Sequence, residues 1–131
     1  MDGDYNKILT KKELETKQKL YSKYFSPKIT QEQKEELMNI MHRLVIAERE
    51  YTELKEKSSE LSTSEILKLK ELEAILYLDA KLTVEMYSDD DLIKVFNEFY
   101  NMDNMSAITK IRFEAITEEI KIRDFDISKI R

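Results

Sequence analysis

The sequence predicts an all-α protein, and three observations support this. The 131 residues include one glycine and one proline, Gly3 and Pro27, so the chain lacks the usual turn chemistry of β and α/β folds. Quartets with capping-box spacing recur along the chain. Apolar residues after each quartet follow a helical period, and their 41% share of the composition is enough to form a core.

The capping quartets place the helix starts. Four residues, Thr10, Thr30, Ser62 and Ser88, each precede an acidic or amide side chain by three positions, the spacing in which the first side chain accepts from a free helix N–H. The predicted helices span about 11–25, 31–57, 63–87, 89–101 and 104–122. The first is expected to stop at Ser26, because a residue before proline is driven out of the helical region.

The second and third predicted helices form a long antiparallel hairpin. The second helix carries a coiled-coil-like seam of Leu37, Ile40, Leu44, Ala47, Tyr51 and Leu54, and it would be about 40 Å long. Only 6 of the 23 residues in 48–70 are apolar, against 8 of 11 in 37–47. We therefore expect the shorter helices to cover the hairpin base and the tip to project, exposing Tyr51, Leu54 and Leu61 as an interaction surface.

Two acidic residues fall on apolar helix faces and are predicted to form buried ion pairs, since an unpaired buried carboxylate is costly. With a turn near Leu61, Asp79 lies opposite Arg43. Glu48 is the comparable case on the second helix, with Lys70 or Lys68 at a suitable depth to pair with it. A carboxylate metal site or general base is the alternative interpretation of Asp79 and Glu48.

Several kinds of chemistry are excluded or disfavoured. The chain has no cysteine, so thiolate zinc sites and cysteine nucleophiles are excluded. The only histidine, His42, is expected on a solvent face, and Asp89, Asp90 and Asp91 are read as helix-capping residues rather than metal ligands. No glycine-rich phosphate loop is present. We predict a protein that is not an enzyme and has no cofactor.

Charge is unevenly distributed. Residues 1–30 carry seven lysines and four acids, a net +3, so the net −5 of the whole chain leaves −8 on residues 31–131. The lysines of the first helix surround it instead of forming one stripe, which disfavours nucleic-acid binding. The acidic start and the lack of a long apolar run predict a cytoplasmic protein with no membrane contact. We expect one domain over 1–131, with flexible ends at 1–10 and 123–131.

The segment Ala80–Asn101, AKLTVEMYSDDDLIKVFNEFYN, resembles a pattern in uncharacterised small bacterial helical-hairpin proteins. In those proteins a long hairpin leads through a junction with tyrosine and serine into an acidic-capped helix. The resemblance covers about a third of the chain. It implies the hairpin architecture and no particular activity.

The leading functional hypothesis is a non-enzymatic protein–protein interaction module, an adaptor or a self-associating hairpin whose partner includes a second copy of itself. One alternative is a small acidic inhibitor from a phage or mobile element that blocks a host or defence enzyme. The other alternative is a helical-bundle carboxylate protein that binds a metal.

Overall fold

The computed structural model describes residues 9–24, 26–57 and 59–125, and all regular structure in these ranges is helical. The all-α prediction is therefore confirmed. The five helices in the described ranges are α1 (Lys11–Tyr21), α2 (Gln31–Glu56), α3 (Thr63–Glu85), α4 (Asp89–Tyr100) and α5 (Ala107–Ile122). None of them combines the length and the apolar character that crossing a bilayer requires.

The predicted helix starts are confirmed for α1 to α4. Thr10, Thr30 and Ser62 each form a complete capping box, and the Ser88 hydroxyl accepts from the Asp91 backbone N–H. The start of α5 was predicted three residues early. Asn104 has a left-handed φ of 53°, which a helix cannot include, and Ser106 is the actual N-cap.

The predicted end of the first helix is also wrong, because α1 stops at Tyr21. The Ser22 hydroxyl donates to the Lys19 carbonyl, and such side-chain bonds compete with continued helix. Leu14 and Leu20 are the buried residues of α1, and Tyr21 is exposed. The predicted helix also included Phe25, which lies outside the described residues.

The hairpin of α2 and α3 is antiparallel, and α1, α4 and α5 pack at its base. A first core cluster joins α1, α2, α3 and the start of α5, and a second joins the end of α3 to α4 and the rest of α5. Neither cluster contains a residue from 55–68. Within the described residues, this part of the hairpin is formed by the end of α2, the turn after it and the start of α3.

The described parts of the two chain ends pack on the bundle, and the flexibility of 1–10 and 123–131 stays a prediction. Leu9 is buried in the first cluster. At the other end Asp124 has a left-handed φ of 61°, which lets the Phe125 N–H donate to the Ile120 carbonyl in a helix-ending bond. Phe125 then packs on the second cluster. Residues 1–8 and 126–131 lie outside the described residues.

Candidate functional site

Tyr51 belongs to the core and not to the predicted interaction surface. It is only 2% exposed, and its hydroxyl donates to Glu73 Oε2 at 3.2 Å. Burial, the negative charge of Glu73 and this hydrogen bond raise the pKa of Tyr51 to about 12. The sequence predicts that Tyr51 lies beyond the covering helices, but Tyr51 shares the first cluster with Ile111 of α5, and Ala107 and Ile108 at the start of α5 pack on that cluster.

The ion pairs of Asp79 and Arg43 are also corrected. Arg43 pairs with Glu13 through both Nη atoms, and Asp79 Oδ1 accepts from Lys17 Nζ at 2.8 Å. Glu13 and Lys17 lie one turn apart on α1. Arg43 and Asp79 therefore lie at similar heights along the hairpin, as the predicted pairing requires. Each of them takes a partner from α1, which lies against the hairpin.

The Glu13–Arg43 pair is partly withdrawn from solvent, with the Arg43 side chain 7% exposed. Burial alone would raise the pKa of Glu13. The hydrogen bonds from Arg43 and from the Thr10 backbone outweigh that effect and hold the pKa below its ordinary value. This carboxylate thus both caps α1 and fixes the helix to α2.

Glu48 and Lys70 do not pair with each other. Glu48 Oε1 accepts from Arg112 Nη2 of α5 at 2.8 Å, because Glu48 faces α5 instead of α3. Lys68 Nζ lies 3.7 Å from Glu50 Oε2. Lys70 is exposed and forms no ion pair with any residue that the structure describes.

All five helices contribute to one cleft of about 380 Å³, which the sequence did not predict. Its floor is aliphatic and aromatic, supplied by α3, α4 and α5. Residues from distant parts of the chain meet there, so no local pattern could reveal it. The lining residues are Lys17, Glu48, Leu76, Asp79, Ala80, Thr83, Val84, Tyr87, Val95, Phe99, Ile108, Ile111, Arg112 and Ile116.

Two ion pairs of different character line this cleft together with its apolar floor. The Lys17 and Asp79 side chains are 15% and 20% exposed. The Arg112 and Glu48 side chains are 52% and 36% exposed. The first pair is held among helices, whereas the second is open to solvent and to a competing ion.

A second candidate site is the distal hairpin surface, which we define as Leu54, Leu61, Ile66 and Leu67. Leu54 packs on the first cluster, and Leu61 is half-buried. Ile66 and Leu67 are 43% and 58% exposed. Of the three residues predicted for this surface, Tyr51 is buried and Leu54 and Leu61 are partly buried, and its exposed members are Ile66 and Leu67, which the sequence did not predict.

The residues considered for metal chemistry do not assemble a site. His42 is exposed as predicted, and Asp89, Asp90 and Asp91 occupy the first turn of α4. Asp89 also accepts from Arg123 at 2.9 Å. Across 9–24, 26–57 and 59–125, no three His, Asp or Glu side chains lie close enough together to hold a metal ion.

The structure defines the class of this chain as an all-α bundle built on a long helical hairpin. The chain matches no protein-family model, no curated protein and no solved structure.

Proposed function

We propose that the protein is a non-enzymatic protein–protein interaction module that binds a helical partner at the distal hairpin surface. The observation that supports this is the exposure of Ile66 and Leu67 on a stretch of hairpin that no other described helix covers. Large apolar side chains adjoining an uncovered helix pair are typical of interaction sites.

The position of Ile66 indicates where a partner helix would lie. Ile66, Glu73, Tyr77 and Val84 are spaced by seven, four and seven residues, so they share one face of α3. Towards the hairpin base this face packs on α5: Val84 shares the second cluster with residues of α5. Because α5 begins at Ala107, Ile66 lies on the part of this face beyond it. A partner helix would continue the packing there.

Light scattering over a concentration series tests self-association, the simplest form of this proposal. We expect the average mass to rise towards a dimer for the natural protein. The double variant Ile66→Glu, Leu67→Glu should stay monomeric, because two charges cannot be buried unpaired in an interface. Met38→Glu is the matched control, since Met38 is as exposed as Leu67 but lies in the first half of α2.

The proposal also covers a different protein as partner, which crosslinking at the same surface would detect. A natural protein that stays monomeric at every concentration and crosslinks to no protein through this surface would contradict the proposal. An effect of Met38→Glu equal to that of the double variant would assign the association to another surface.

The acidic-inhibitor alternative is based on the net −8 of residues 31–131. It predicts that partner binding weakens strongly as salt is raised, since acidic surfaces bind basic channels electrostatically. Binding through the distal hairpin surface, being apolar, should depend little on salt.

A further inference from the structure

We propose that the cleft binds a small amphipathic carboxylate, with its apolar body on the cleft floor and its carboxylate on Arg112. This site shares no residue with the distal hairpin surface. The inference is therefore independent of the proposed interaction function. Its basis is the size of the cleft, its apolar floor and the state of its two ion pairs.

The cleft has the volume and lining of a ligand site. Binding pockets for small molecules occupy roughly 300–1,000 Å³ and combine apolar walls with a few polar groups, and this cleft measures about 380 Å³. At roughly 30 Å³ per water-sized group, it accommodates about a dozen heavy atoms. The floor of Val95, Phe99 and Ile116 supplies apolar contact for a short chain or ring.

Arg112 is the group best placed to hold the polar end of such a ligand. Its pair with Glu48 is largely exposed, and exposed pairs contribute little stability, so a ligand can replace Glu48 at small cost. A guanidinium has five N–H donors in a planar fork that matches a carboxylate. Within the described part of the chain, Glu48 engages only Nη2 of Arg112.

The exposure of the charged side chains favours an anionic head over a cationic one. Arg112 is 52% exposed, against 36% for Glu48, 20% for Asp79 and 15% for Lys17. The carboxylates and the cations both keep hydrogen-bonding capacity, but the most accessible charged group of the lining is the Arg112 guanidinium. A carboxylate ligand therefore reaches its partner with the least displacement of existing contacts.

Titration of methyl-labelled protein with octanoate tests the proposal directly. Saturable shifts are expected for the cleft methyl groups of Val95, Ile108 and Ile116, and not for the exposed Ile122. A ligand of this size should bind with a dissociation constant on the order of 0.1–1 mM. Octylammonium and octanol carry the same chain with a cationic or neutral head and should bind more weakly.

Two substitutions in the Arg112–Glu48 pair and one control substitution separate the contribution of the charge from that of the apolar floor. Arg112→Gln should weaken octanoate binding about tenfold and leave octanol binding unchanged. Glu48→Gln should tighten octanoate binding about threefold, because the internal competitor for Arg112 is gone. Arg49→Gln is the matched control, since Arg49 is exposed on α2, next to Glu48, and does not line the cleft.

All three positions are exposed or half-exposed, so the variants should fold as the natural protein does. Octanoate binding that survives Arg112→Gln undiminished, or that Glu48→Gln weakens, would overturn the assignment of the carboxylate to Arg112. If octylammonium bound more tightly than octanoate, the cleft would prefer a cationic ligand and the proposal would be overturned. Shifts that do not saturate, or that spread beyond the cleft, would show that the cleft is not a ligand site.

Discussion

Glu13 and Glu65 occupy the same position in two capping boxes. Each pairs with a cation, Arg43 within α2 or Lys57 at its C-cap, yet their surroundings differ. Glu13 binds Arg43, whose side chain is 7% exposed, and Glu65 binds Lys57, which is 55% exposed. Hydrogen bonds lower the pKa of both carboxyls. For Glu65 the main cause is the Ser62 backbone N–H, whereas at Glu13 the hydrogen bonds from Arg43 and the Thr10 backbone must first outweigh burial.

The difference between these two pairs shows what additional helices do to the hairpin. At the base, α1 and α5 lie against α2 and α3, so apolar groups and ion pairs are withdrawn from solvent together. At the distal end, Lys57–Glu65 and Glu50–Lys68 link the two hairpin helices across an open surface. Ion pairs of this exposed kind contribute little stability.

Truncating one apolar side chain at the base of the hairpin and one at its distal end should give the largest difference in stability between the two regions. Leu14 is fully buried at the base, so Leu14→Ala should lower the free energy of unfolding by about 3–5 kcal/mol, the range for buried leucines. Ile66→Ala should change it by less than about 0.5 kcal/mol, because an exposed side chain loses little contact. Urea unfolding followed by circular dichroism measures both. Equal losses would mean that the distal end is as well covered as the base.

Glutamine substitution isolates the charge in the two capping boxes. Glutamine can still accept from the N-cap N–H, so Glu13→Gln removes only the carboxylate opposite Arg43. We expect a loss of about 1–3 kcal/mol. The same change at Glu65 should leave the urea midpoint unchanged within error. If Glu13→Gln were also silent, α1 would be held by its leucines alone.

The pH dependence of stability in acid gives a second measurement of the Glu13–Arg43 pair. The folded-state pKa of Glu13 lies below the ordinary value near 4.5, so its contribution is present above that value. It is lost as the pH falls through the lowered pKa. Urea midpoints measured from about pH 6 to pH 3 should therefore fall less steeply for Glu13→Gln than for the natural protein.

Local patterns in the sequence predicted the starts of α1 to α4 and the pairing of the hairpin, because caps and apolar periods act within a few residues. The partners of Arg43 and Asp79 could not be predicted in this way. They depend on where α1 lies, and α1 is separated from its partners by about 30 and 60 residues of chain. The cleft and the burial of Tyr51 could not be predicted for the same reason, since both depend on where α5 packs.

A smaller loss than at Leu14 or Glu13 is expected at Tyr51, at the boundary between the covered and open parts of the hairpin. Tyr51→Phe keeps the ring and removes the hydrogen bond to Glu73, so it should cost about 0.5–1.5 kcal/mol near neutral pH. The folded-state pKa of about 12 lies above the ordinary value of 10. The stabilisation is therefore complete below pH 10 and is lost as the pH rises towards 12. Urea midpoints of the two proteins should converge over that interval, and a constant difference would show that Tyr51 does not titrate with folding.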